Sequence, residues 1–237
     1  MKLSSLSIIL PCYNEEENVE KVVRAADAIC KKVAEDYEIL VINDGSKDRT
    51  EEIANGLTTE FPNLVVVSQA NKGYGGAIKR GFETATKDWV FFTDSDLQFD
   101  LNELESFIPY SNEYNFIFGY RIKRADKFHR ILIAKMLKVW NRILLGFPMY
   151  IKDIDCAFKL MKREDFLSIF PLVVEGGLIN TEFILKIHRK GYKIKQVGVH
   201  HYPRVAGNPT GSNFGVIFKA VKETFKLRKM LSPQSWY

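Results

Sequence analysis

The sequence predicts an α/β fold: a mostly parallel sheet flanked by helices, with basic amphipathic helices in the C-terminal half. Three observations point there. Short runs rich in Val, Ile, Leu and Phe alternate with segments of helical periodicity through the first hundred residues, the pattern of helices packed on a parallel sheet. Each apolar run stops abruptly in polar or glycine-rich residues, and ligands of such sheets sit outside the carboxyl ends of the strands. The 237 residues, 46% hydrophobic and 27% charged, suit one sizeable globular core rather than a disordered chain.

Residues 6–11 read as the first strand, closed by Pro11, which cannot continue a central ladder. Tyr13-Asn14-Glu15 follows, then a helix with Val19, Val22, Val23, Ala26 and Ile29 on one side. Residues 38–42 form the second strand and end in Asn43-Asp44-Gly45-Ser46, with Asp48 placed to cap a helix through Ile53 and Ala54. Residues 64–67 are the third strand, followed by Asn71-Lys72-Gly73-Tyr74-Gly75-Gly76 and a helix bearing Ala77, Ile78, Phe82 and Ala85. That loop has neither dinucleotide nor P-loop spacing. A tight strand-to-helix turn is its natural role, with Lys72 in reach of a phosphate.

Residues 89–93 are the fourth strand, and the chain must surface after Thr93 because Asp94 and Asp96 cannot stay unpaired in a core. Carboxylates one residue apart can approach one hard cation, magnesium or manganese, which keeps positions for water and substrate phosphates. Taken alone, an Asp-x-Asp is more often a solvated acidic turn. Four polar strand ends converging on one edge make the stronger case for a site.

Beyond Asp96 come a short helix over residues 102–110 and a strand over 115–119 ending in Tyr120-Arg121. In residues 127–147, Phe128, Ile131, Leu132, Met136, Val139, Trp140, Ile143 and Leu144 fall at helical spacing beside Lys127, Arg130, Lys135, Lys138 and Arg142. Such a helix either packs on the core with a solvated face or lies at a membrane surface. Residues 151–161 start acidic and become strand-like, residues 182–190 read as a helix stopped by Gly191, and 192–199 as a strand. His200 and His201 are adjacent, so on a strand they face opposite ways and do not share a metal. Residues 205–213 form a loop, and a last helix carries Lys219, Lys222, Lys226, Arg228 and Lys229.

The net charge of +5 conceals an asymmetry. Residues 1–120 hold 11 Lys and Arg against 21 Asp and Glu, and residues 121–237 hold 23 against 8. The basic half implies an anionic partner: phosphates, an acidic membrane surface or nucleic acid. No aromatic and basic signature of an RNA-binding sheet is present, so nucleic acid is not expected. No apolar stretch approaches the ~20 residues of a membrane span, and the N-terminus does not read as a signal peptide. Cys12, Cys30 and Cys156 are scattered, which fits a reducing cytoplasm better than disulfides or zinc.

Taken in order, Pro11-x-Tyr13-Asn14-Glu15, Asn43-Asp44-Gly45-Ser46-x-Asp48-x-Thr50, Asn71-Lys72-Gly73-x-Gly75-x-Ala77 and Asp94-Ser95-Asp96-Leu97-Gln98 resemble the family 2 glycosyltransferases of GT-A fold. Within that family they are most similar to polyprenyl-phosphate sugar transferases of the dolichyl-phosphate mannose synthase type, over roughly residues 5–210. The resemblance implies an inverting transfer of a hexose from a nucleotide diphosphate sugar, GDP-mannose or a UDP-hexose, to a polyprenyl or dolichyl phosphate. It implies that Pro11, Tyr13, Glu15, Ile42 and Asp44 hold the nucleotide, with Lys72, Ser95 and Arg204 completing the donor site. Asp94, Asp96 and Gln98 would surround Mg2+ or Mn2+. Arg121 and Arg130 would hold the acceptor phosphate, and Asp155 would act as a base for a hydroxyl acceptor or orient the sugar for a phosphate one.

Two positions depart from the family pattern. Asn43 replaces a frequent aspartate, and Thr210 stands where a lysine commonly ends the late loop, leaving Lys72 or Lys219 to supply that charge. The expected organisation is a catalytic domain over residues 1–211, a basic amphipathic helix over 212–230 and a flexible tail over 231–237. The expected location is the cytoplasmic face of a membrane, peripherally bound, with a membrane-anchored partner subunit as a further expectation. Alternatives are a soluble family 2 enzyme acting on a saccharide or protein hydroxyl, and a nucleotide-sugar-binding module without turnover.

Overall fold

A computed structural model describes residues 1–122, 136, 139–140, 142–204 and 214–230, the last helix by its backbone alone up to residue 221. Arg130, Thr210, the 205–213 loop, the tail and most of the expected 127–147 helix lie outside the described residues, as does the Lys219 side chain.

The strand β1 (Leu3–Cys12) is the pivot, pairing in parallel with β2 (Ala34–Asn43) on one side and β4 (Trp89–Thr93) on the other. β3 (Leu64–Ser68) extends the parallel half beyond β2. Leu6, Ile8, Ile9 and Leu10 have no exposed surface, as expected where helices cover both faces. Those helices are α1 (Val19–Val33), α2 (Thr50–Leu57) and α3 (Tyr74–Thr84). A Cβ at Gly81 would stand 2.4 Å from Ile9, so only glycine lets α3 settle this closely on β1.

The second half breaks the parallel rule. β5 (Phe116–Arg121), β6 (Phe158–Lys162) and β7 (Ile194–Val199) complete a seven-stranded sheet of order β3-β2-β1-β4-β6-β5-β7. β6 runs antiparallel to both neighbours, pairing Phe92 with Lys159 and Ile117 with Leu160. Its N-terminal end therefore meets the carboxyl ends of β4, β5 and β7. Phe91 and Phe158 meet edge to face at 4.6 Å across the β4–β6 pair. Further helices are α4 (Arg163–Leu167), α5 (Ile179–Arg189) and α6 (Phe214–Met230).

Three local expectations change. The helix over 102–110 is two 3-10 segments, Leu101–Ser106 and Ile108–Asn112, which meet at Phe107, with Pro109 in the first turn of the second, where its missing N–H is tolerated. Asp48 sits one residue ahead of the helix cap, yet still accepts the Thr50 amide at 3.0 Å. α4 has no counterpart in the sequence reading. Among the described residues no helix is long and apolar enough to cross a membrane.

Candidate active site

The ends of β1 and β2 are stitched by the polar residues that follow them. Asn14 adopts φ 55°, a left-handed conformation that Asn tolerates better than most residues. Its amide donates to Ser46 Oγ at 3.0 Å, and its side-chain oxygen accepts from the Lys47 amide at 2.8 Å. The Glu15 amide donates to Thr50 Oγ1 at 2.8 Å. Tyr13 is left exposed at the rim. Asp44 is buried, and its Oδ1 accepts from Gln69 Nε2 at 2.7 Å and from the Lys72 amide at 2.9 Å. One carboxylate oxygen thus gathers the end of β3 and the glycine loop. Ile42 has no exposed surface, so its expected nucleotide contact cannot come from the side chain, which belongs to the core.

At the end of β4 the chain makes a tight reversal. Leu97 has φ 58°, uncommon for a residue with a Cβ, and the turn lets the Gln98 amide donate to Asp96 Oδ1 at 3.1 Å. The Gln98 side-chain amide donates to the Tyr202 carbonyl at 2.9 Å, and the Tyr202 amide returns a bond to Gln98 O at 2.8 Å. Gln98 therefore joins this turn to the segment carrying Arg204. Arg204 Nη2 donates to Asp96 Oδ2 at 2.6 Å, with Nη1 3.6 Å from Glu15 Oε1. Burial raises the Glu15 carboxyl above its ordinary range, opposed by the Asn18 side-chain amide at 2.7 Å. Ser95 is buried and tied to the backbone, donating to Pro11 O at 2.9 Å while accepting from Cys12 Sγ at 3.2 Å. It ties the turn after β4 to the end of β1.

Asp94 carries the strongest electrostatic signature. Desolvation, and then the neighbouring Asp96 charge, push its carboxyl up to about 7. Two acidic side chains held in mutual repulsion fit a divalent cation that offsets it, and an all-oxygen donor set suits magnesium or manganese. Among the described residues no third His, Cys, Asp or Glu joins them. The remaining ligands would be the Gln98 oxygen, water and substrate phosphate.

Opposite this pair, Arg121 at the end of β5 grips Asp153 with both nitrogens, Nε at 2.6 Å and Nη2 at 2.8 Å. Burial works against the guanidinium charge and Asp153 more than offsets it, raising the Arg121 pKa. The guanidinium that the sequence offers to a phosphate is thus already held in place by a carboxylate. Asp155 is exposed two residues on, its amide 3.3 Å from Asp153 Oδ1. Beneath them Lys159 is fully buried, donating to the carbonyls of Ile154 and Cys156 and lying 5.5 to 5.7 Å from the rings of Phe92, Phe118 and Phe183. Burial lowers its pKa. Neither Asp153 nor Lys159 stands out in the sequence; the acidic alternation Asp153-x-Asp155 was the one available signal. His200 Nδ1 lies 3.0 Å from Glu103, whereas His201 packs on Phe99 at 5.2 Å, so the two histidines part as period-two geometry requires.

A mostly parallel sheet with Asp44 and the Asp94–Asp96 pair following strands on one edge, and Arg204 bonded to Asp96, has the GT-A glycosyltransferase fold. The chain belongs to glycosyl transferase family 2, whose model matches residues 7–170. It is 29% identical over 164 residues to the undecaprenyl-phosphate 4-deoxy-4-formamido-L-arabinose transferase of Pectobacterium atrosepticum, covering 68% of this chain and 50% of that protein. It is 28% identical over 209 residues to glycosyltransferase AglD of Haloferax volcanii, covering 84% of this chain and 33% of the other. The chain thus spans half or less of the length of these two relatives. Among solved structures, glucosyl-3-phosphoglycerate synthase of Mycobacterium tuberculosis with Mn2+, UDP and glucosyl-3-phosphoglycerate superposes with a TM-score of 0.70 at 20% identity, covering 95% of this chain and 80% of that one. The same enzyme with Mg2+ and UDP gives 0.68 at 22% identity over 95% and 79%. These likenesses establish the fold.

Proposed function

We propose that this protein transfers a hexose, with inversion, from a nucleotide diphosphate sugar to a polyprenyl or dolichyl phosphate. The observation that carries the reading is the convergence of the Asp94–Asp96 pair and Arg204 on the strand edge that also holds Asp44. The names of the similar transferases support the acceptor class. Asp44 receives the base, with Pro11, Tyr13 and Glu15 around the nucleoside and Lys72 nearby. Asp94, Asp96 and Gln98 would hold Mg2+ or Mn2+, whose positive charge would offset that of the departing diphosphate. Arg204 adds charge-assisted hydrogen bonds, for which a guanidinium matches phosphate geometry.

The acceptor phosphate is largely ionised near neutral pH, its second pKa being about 6, so attack on the anomeric carbon needs positioning more than a strong base. Its oxygen forms the new bond while the bond to the diphosphate breaks and that electron pair leaves with the nucleotide. Arg121, oriented by Asp153, and Arg130 are proposed to hold this phosphate, and Asp155 to orient the sugar. Met136, Ile143 and Met149 are 65%, 77% and 73% exposed, and Trp140 meets Phe225 of α6 at 6.1 Å. An apolar surface of this kind among lysines and arginines suits an anionic membrane face. The proposed location is the cytoplasmic side of a membrane, reached directly or through a membrane-anchored partner subunit.

The test is a screen of nucleotide sugars with Mn2+ or Mg2+ and a short polyprenyl phosphate, read as nucleoside diphosphate release. Chelation or Asp96→Ala is expected to remove at least about 99% of turnover, a loss in keeping with metal stabilisation worth several kcal/mol. A folded Asp96→Ala protein as fast as the parent sinks the proposal.

A further inference from the structure

The glycine loop is explained by what crosses it. Glu182, in the first turn of α5, has no exposed surface, and its carboxylate accepts the amides of Val173 at 3.0 Å and Val174 at 2.8 Å. One turn later Lys186 pairs with it at 2.8 Å and donates to the Pro171 carbonyl at 2.5 Å. A buried acid and its base thus tie the backbone of residues 171–174 to α5. Immediately beyond that tie, the Glu175 carbonyl accepts the Gly75 amide at 2.9 Å. A Cβ at Gly75 would stand 2.8 Å from the Glu175 carbonyl carbon, and one at Gly73 3.1 Å from its oxygen. At Gly75 the glycine is needed because another segment of chain lies on it, whereas Gly73 is also required by its φ of 79°. On the other side of the loop, the Lys72 amide donates to Asp44 at 2.9 Å.

Replacing a buried ion pair by apolar residues is often neutral or stabilising, so an apolar anchor would hold residues 171–174 as firmly. A carboxylate accepting two successive amides fixes something an apolar anchor does not, the orientation of those peptides and of the Glu175 carbonyl after them. We propose that Glu182 is a positioning residue of the donor site: it clamps residues 173–175 so that Glu175 fixes the glycine loop, and through Lys72 holds Asp44 where the nucleotide base is received. The last link rests on the donor reading of Asp44 given above.

Glu182→Gln keeps the shape of the side chain but turns an N–H2 toward the two amides. Gly75→Ala strikes the same contact from the other side without touching the buried pair. Three readouts apply to each: affinity for UDP and GDP with Mn2+, the separate KM values and kcat, and amide hydrogen exchange of residues 71–76. Both variants are expected to weaken nucleoside diphosphate binding and raise donor KM about tenfold, a change of ~1.4 kcal/mol. Acceptor KM and kcat stay within about twofold, and exchange at Gly75 and Gly76 quickens. The double variant is expected to lose far less than the product of the two single losses, because both act through one contact. Unchanged exchange and affinity in either folded variant overturns the clamp, as does a loss confined to kcat. Should Glu182→Gln not fold, Gly75→Ala decides alone. Faster exchange in a protein whose parent binds neither nucleotide refutes the donor reading and leaves the clamp standing.

Discussion

The Arg121–Asp153 pair makes a quantitative prediction. The two side chains are 8% and 12% exposed, and both guanidinium contacts are short, so little solvent screens them. Asp153→Ala leaves a nearly buried guanidinium without its carboxylate. Breaking such a pair costs about 3–5 kcal/mol, and the residual exposure places the expected loss near ~3 kcal/mol. For a chain of this length each kcal/mol is worth roughly 2–4 °C, so Tm should fall by about 6–12 °C. Urea unfolding followed by tryptophan fluorescence reads this as a lower midpoint at unchanged slope. Arg121→Lys should fail to restore the pair, since an ammonium cannot match both carboxylate oxygens. Arg121→Met with Asp153→Leu should recover more than half of the loss. A loss under ~1 kcal/mol for Asp153→Ala, the range of a solvated surface pair, refutes the argument, as does a double variant costing the sum of the singles.

Other consequences are open to measurement. Flotation with anionic liposomes should carry the protein upward at low salt and release it as salt rises, because polybasic attraction decays within a Debye length; protein that stays in solution at low salt contradicts the membrane reading. Burial pushes the thiols of Cys12 and Cys156 up to about 12 and raises that of Cys30. A thiol reagent at pH 8 should therefore label the native chain negligibly and all three cysteines in denaturant. Rapid native labelling of Cys12 would show that the Ser95 tie is not formed. Asp155→Asn should keep most turnover with a lipid phosphate and lose it with a hydroxyl acceptor; near-complete loss with the phosphate assigns Asp155 as a base after all.

The parallel half of the sheet was legible because its strands are short apolar runs followed by polar residues, as at Asp44 and Asp94. Pro11 misled, since β1 passes through it to Cys12, Pro11 pairing with Ile42. What the sequence concealed has physical reasons. Lys159 inside a strand suggests a solvated face, yet β6 is covered on both sides and the ammonium bends to two carbonyls and three aromatic rings. Ile42 looks like a site residue by position, but side chains on an extended strand alternate and this one is buried; Ser95, in the turn beyond β4, is taken up by Pro11 and Cys12. Glu182 gives no local hint, because what it accepts from lies nine residues back in sequence.

The reversed direction of β6 has a further meaning for how this scaffold diversifies. Its neighbours deliver their last residues to the cleft, while β6 delivers what precedes it, the turn with Asp153 and Asp155. The chain between β5 and β6 thus starts and finishes beside the proposed acceptor site. On the proposed function, lengthening or replacing that stretch would retune which molecule is accepted, while the pairing of β1 through β4, and with it the proposed donor site, stays untouched.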